Sequence, residues 1–167
     1  MAAHFILSKD IAYQKLHRMA YEVAEQNINE KQIIIAGIKE NGRIIADIIA
    51  GFLKHIFKGE LKIIEIKIDK KDPKNISLSG KINFAPKTLI ITDDVANSGK
   101  TLLYAIKPFL DFYPKRIQTL VLVERSHKEF PISPDYVGLS VSTALTEKII
   151  VETSKNNGIE GAILTGH

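Results

Sequence analysis

The feature that most restricts the fold is a set of short apolar runs that do not alternate with polar residues: QIIIAG (Gln32–Gly37), TLIIT (Thr88–Thr92) and IQTLVLV (Ile117–Val123). A strand that is apolar at successive positions has two faces to bury, and helices laid on both sides of a sheet bury both. Between these runs the apolar spacing becomes helical. Ser8 precedes a helix over Lys9–Gln26 that carries Leu16, Met19, Ala20 and Val23 on one face. GRIIADIIAGFLKHIF (Gly42–Phe57) follows the first run, and a helix from about Gly99 to Leu110 follows the second. LKIIEIKI (Leu61–Ile68) reads as a further strand, and YVGLSV and KIIVE as short strands near the sheet edge. This alternation predicts an α/β domain with a mostly parallel central sheet flanked by helices.

Length and composition set bounds on what the domain can do. With 167 residues, 45% hydrophobic and 25% charged, the chain suits one globular domain over residues 1–167 and not a disordered one. No apolar run approaches the length of a membrane span, and the N-terminus lacks a secretory layout, so a cytoplasmic protein is expected. The lack of cysteine excludes disulfides and thiolate metal sites. A net charge of +4 suits phosphate-rich ligands or RNA without requiring either.

The chemistry concentrates in IITDDVANSGKT (Ile90–Thr101). Ligands of open parallel sheets bind beyond the carboxyl ends of the strands, where TLIIT delivers Asp93 and Asp94. The turn from Ala96 to Gly99 feeds a helix, so backbone N–H groups and the Ser98 and Thr101 hydroxyls form an anion cradle. An ATP-type P-loop is excluded, since it needs glycine five positions before Gly99, where Asp94 stands. Two carboxylates beside a bound phosphate suit ribose hydroxyls or a divalent cation.

An apolar strand, Asp-Asp, a short spacer and Ser-Gly-Lys-Thr resemble the phosphoribosyl pyrophosphate (PRPP) motif of type I phosphoribosyltransferases. LVLVERSHKEFPISPDYVGLSVSTALTEKIIVE (Leu120–Glu152) is similar to the end of the bifunctional pyrimidine operon attenuator/uracil phosphoribosyltransferases. ILSKDIAYQKLHRMAYEVAEQN (Ile6–Asn27) and IIIAGIKENGRIIADIIAGFLKHI resemble that family's first helix and first βα unit. The resemblance implies the type I fold with a flexible lid and a small hood, and transfer of phosphoribose from PRPP to a nucleobase, with uracil the base that family implies. Its alternative is a catalytically weak PRPP- or nucleotide-sensing regulator of pyrimidine genes that binds RNA.

By the same resemblance, Asp93 and Asp94 are the catalytic acids, reaching the ribose hydroxyls directly or through substrate-bound magnesium. Ala96, Asn97, Ser98, Gly99, Lys100 and Thr101 take the 5′-phosphate. Gly37, Ile38, Lys39, Glu40, Asn41 and Gly42 take the pyrophosphate, and Arg125, Ser126 and His127 stand beside the base. The pyrophosphate loop reads Lys39-Glu40-Asn41-Gly42 where the family has Lys-Thr-Arg-Gly, and Lys100 replaces an arginine. Asn97 stands where 6-oxopurine enzymes place an acid, which disfavours hypoxanthine and guanine.

The polar stretch Asp69–Lys87 is expected to be the lid, a structureless loop or a solvated hairpin. RNA binding would draw on Lys15, His17 and Arg18 with Lys70, Lys71 and Lys74. Relatives of this kind imply a homodimer or higher homo-oligomer. The tail TSKNNGIEGAILTGH holds no motif and reads as a hairpin, a dimer arm or a loose end.

Overall fold

The computed structural model describes residues 3–166. Its main sheet has six strands in the order β4-β3-β2-β5-β6-β7. These are β2 (Gln32–Ile38), β3 (Glu60–Ile68), β4 (Ile76–Leu78), β5 (Thr88–Ala96), β6 (Arg116–Arg125) and β7 (Tyr136–Val141). All pairings are parallel except β3 with β4. The predicted α/β class and parallel sheet therefore hold.

The non-alternating runs are apolar because each face meets its own helix layer. Ile33 and Ile35 of β2, Ile90 of β5, and Leu120 and Leu122 of β6 face α1 (Lys9–Gln26) and α2 (Asn41–Leu53). Ile34, Ala36, Leu89, Ile91 and Val121 face α3 (Lys100–Leu110), where they meet Leu102, Ala105 and Phe109. The Ser8 hydroxyl accepts from the Ile11 N–H at the start of α1, as the N-cap reading predicts. At its far end, buried Asn27 donates to Gln118 Oε1 at 3.0 Å, which also accepts from the Tyr136 hydroxyl at 3.0 Å, tying α1 to β6 and β7.

Two expectations change, and that for Asp69–Lys87 narrows to its hairpin alternative. Helix α2 ends at Leu53, not Phe57; Ile56 and Phe57 keep the helical spacing because they pack on the core from a turn. The segment Asp69–Lys87 contains β4, which folds back on β3, and Phe84 is 3% exposed with its ring edge-on to Phe109 at 5.0 Å. KIIVE is not at the edge of the main sheet. It lies in β8 (Glu147–Thr153), in a separate antiparallel sheet of order β1-β9-β8 with β1 (His4–Ser8) and β9 (Ile159–Gly166). The tail thus supplies the middle strand of this small hood, whose Ile149, Val151, Ile159 and Ala162 join the core shared with α1.

Candidate active site

Strand β5 continues past Thr92, because Asp93 and Val95 stay in register with Val121 and Val123 of β6. The two acids therefore project to opposite faces of the sheet's carboxyl edge. Asp94 lies on the α2 side, where Asn41 donates to its Oδ2 at 2.7 Å and the Val95 N–H to its Oδ1 at 2.8 Å. Asp93, 1% exposed, lies on the other side with Lys70 Nζ 3.5 Å from its Oδ1. Burial, then the neighbouring Asp94 charge, raise the Asp93 carboxyl well above its ordinary range, and Lys70 opposes them.

The expected cradle is the turn after Ala96. Gly99 opens α3 at φ +84°, and a Cβ there would lie 2.6 Å from Ile132 Cγ2, so glycine is required on two counts. The N–H groups of the first helical turn lack intrahelical partners. A cavity of about 100 Å³ lies at this turn, lined by Ala96, Asn97, Ser98, Gly99 and Thr101 together with Lys70. The Asn97 Oδ1 is sealed from solvent with no hydrogen-bond partner. Lys100 does not line this cavity, and its N–H donates to Ser98 Oγ at 3.2 Å.

The expected pyrophosphate loop divides into support and contact. Gly37 and Ile38 are buried at the end of β2, and Gly42 is buried at the start of α2. A Cβ on Gly42 would lie 2.4 Å from the Thr92 carbonyl, and one on Gly37 2.6 Å from Arg43 Cα, so both glycines serve close packing. Thr92 Oγ1 donates to the Gly42 carbonyl at 2.7 Å, locking β5 to α2. Lys39, Glu40 and Asn41 line a cavity of about 640 Å³ with Lys67, Ile68, Asp69 and Lys70, and the Lys39–Glu40 peptide is cis. Asn41, which reads as a weakened phosphate contact, holds Asp94.

Arg125 ends β6 and Ser126 and His127 follow it at the same edge, but none of the three lines either cavity. The Arg125 guanidinium donates to the Glu147 carbonyl of the hood, and the Ser126 N–H to the Val141 carbonyl, while His127 is exposed. Lys70 is the residue that sequence reasoning left outside the site: it lines both cavities and meets Asp93. Its only signal was its position just past the carboxyl end of β3. Of the helix-borne residues expected for RNA, Arg18 and His17 are exposed and also make contacts within the fold. Arg18 pairs with Glu22 and donates to the Val137 and Gly138 carbonyls, and His17 packs between Tyr21 and Phe52.

Among the described residues, no three His, Cys, Asp or Glu side chains converge as a metal site, and no helix is long and apolar enough to cross a membrane.

Residues 5–156 match the family described as "Phosphoribosyl transferase domain". The chain is 35% identical to "Bifunctional protein pyrR" of Enterococcus faecalis, over 90% of this chain and 89% of that protein. It is 30% identical to the Haemophilus ducreyi protein of that name, over 95% and 94%. In fold it is similar to a Trypanosoma cruzi hypoxanthine phosphoribosyltransferase, with a TM-score of 0.78 at 13% identity, covering 97% of this chain and 95% of that one. A Bacillus anthracis hypoxanthine-guanine phosphoribosyltransferase gives 0.73 at 17%, covering 100% of both. With the acid pair and cradle at the carboxyl edge of its parallel sheet, the chain belongs to the phosphoribosyl transferase family, among the PyrR proteins.

Proposed function

We propose that this phosphoribosyltransferase uses PRPP and uracil to make the nucleoside 5′-monophosphate and pyrophosphate. The observation that carries the assignment is Lys70 standing between two cavities, one at the Ala96–Thr101 cradle and the other at Lys39–Asn41. That spacing suits a ligand with phosphate at both ends of a ribose. The cradle N–H groups and the Ser98 and Thr101 hydroxyls hold the 5′-phosphate, Lys39 and Lys70 attract the diphosphate, and the acid pair holds the ribose hydroxyls.

In the transfer, the anomeric carbon–oxygen bond breaks with its electron pair leaving on the diphosphate. A ring nitrogen of the base bonds to the anomeric carbon and releases its proton. Charge develops on the departing diphosphate and on the sugar ring, so the fixed ammonium groups and carboxylates act where it appears. Asp93 fits a divalent cation, since Lys70 at 3.5 Å leaves this buried carboxylate only loosely compensated. Substrate-bound magnesium, held there with Asp94, would screen the diphosphate and bring PRPP in as a chelate.

Uracil is favoured because the Asn97 amide cannot accept the purine proton that an acid at this position would take. Arg125, Ser126 and His127 remain the base-side residues of this reading. A cytoplasmic reaction suits a multiply charged substrate that does not cross membranes. Self-association suits the groove of about 620 Å³ lined by Tyr21, Ile28 and Phe57, of which Tyr21 and Ile28 are exposed.

The test is pyrophosphate release from PRPP and magnesium with uracil, hypoxanthine, guanine, xanthine and adenine in turn. Turnover with uracil, lost in Asp94→Asn, is expected. Turnover with a purine alone would overturn the base assignment. PRPP binding by calorimetry with no turnover on any base would favour a nucleotide-sensing regulator, whose RNA binding would then be measured against salt.

A further inference from the structure

The loop after β6 is fixed to the back of the cradle at several points. The Ser98 carbonyl accepts from the Glu129 and Phe130 N–H groups, both at 3.0 Å. Ile132 packs against Gly99, and the Lys128 stem runs 3.5 Å from where a Gly99 Cβ would stand. Glu124, the residue of β6 in register with Ala96, has its Oε2 2.7 Å from Lys128 Nζ, with side chains 16% and 11% exposed. Lys128 Nζ also donates to the Arg125 carbonyl at 3.2 Å. Glu124 Oε2 is sealed from solvent, and the ammonium approaches it off the line of a hydrogen bond, so its compensation is the charge contact alone.

We infer that Glu124 and Lys128 are a positioning pair: they clamp the base-side loop onto the phosphate cradle, so the 5′-phosphate seat and the base seat are ordered as one unit. The inference rests on the cradle being the phosphate seat of the proposed reaction. Its physical basis is that a carboxylate whose sealed oxygen has one charge partner tolerates the loss of that partner poorly. The loop is therefore held closed over Ser98, and the Ser98 carbonyl, with both its lone pairs used, fixes the orientation of the peptide that leads into Gly99. A ligand that orders the cradle then orders the loop beside the base, and the reverse holds by linkage.

The experiment uses the full chain with Lys128→Met, Lys128→Arg and Glu124→Gln. Ribose 5-phosphate affinity is measured by calorimetry, and amide exchange at Glu129 and Phe130 in the ligand-free protein. Lys128→Met is expected to weaken ribose 5-phosphate by about 5- to 50-fold and to speed exchange at those two amides by about 10-fold or more. Lys128→Arg, which keeps the cation, restores both to near wild type. Glu124→Gln gives the same direction as Lys128→Met and stands in for it if the methionine variant does not fold. A lysine that only touched the phosphate would weaken affinity with the two amides unchanged, and that result overturns the inference, as does wild-type affinity in the folded variants. Failure of the wild-type protein to bind ribose 5-phosphate would instead overturn the functional reading beneath it.

Discussion

At the scale of single residues, Asp93 sets stability against function. Its raised carboxyl means the folded protein keeps that proton to higher pH than the unfolded chain, whose ordinary value is near 3.8. As pH rises from that value through the folded one, the folded state binds more protons, so stability falls, and the penalty persists at neutral pH. Asp93→Asn is therefore expected to melt higher at pH 7, by about 2–4 °C for roughly 1 kcal/mol in a domain of this size. The gain should vanish below the ordinary carboxylate value, while turnover drops on the order of 10²-fold. Thermal melts at pH 3 and 7 check this; a lower melting point at pH 7 would mean that Lys70 outweighs burial. Two glycines give an opposed pair. Gly99→Ala forces a side chain to φ +84° against Ile132 and should cost about 1–3 kcal/mol in urea denaturation. Gly51→Ala, in the last turn of α2 with open space around it, should add about 0.5–1 kcal/mol. The Gly99 position was legible from the chain, because a turn entering a helix beside hydroxyls has few other uses. Lys70 was not, because a lysine in a lysine-rich segment gives no sign of which buried acid it faces.

At the scale of elements, the segment from Asp69 to Lys87 combines an open limb and an anchored one. Lys71, Lys74 and Lys81 are exposed, whereas Pro73 and Phe84 are buried and β4 is paired along β3. Limited trypsin digestion should cut first at these lysines, and PRPP with magnesium should slow the cut, as mass spectrometry of the fragments would show. A first cut elsewhere would remove this segment from the role of lid. The same contrast explains what the sequence made legible. Strands β2, β5 and β6 were readable because burial on two faces leaves an unbroken apolar run. Strand β4 is only Ile76–Leu78 at a sheet edge and has no such signature. The apolar spacing at Ile56 and Phe57 overstated α2, since a turn can bury the same side chains as another helical turn.

At the scale of the whole molecule, the hood depends on residues that carry no motif. Strand β9 lies between β1 and β8, and it brings Ile159 and Ala162 into the core. Removing residues 157–167 leaves β1 and β8 without their partner and uncovers Leu7, Ile149 and Val151. The melting point should fall on the order of 10 °C or more, or the protein should become insoluble; an unchanged melt would show the hood to be independent of β9. This dependence was invisible in the chain because a hood strand shows only that it is apolar on one side, not which distant segment pairs with it.

The pairing of Phe5 with Ile163 and Leu7 with Ala162 also fixes an order of events during translation. The central sheet can close once Val141 has left the ribosome, but β1 must wait, unpaired, for β9. A nascent chain of this protein therefore keeps the edge of β1 open until β9 has emerged, and a stop codon ahead of β9 would strand that edge permanently.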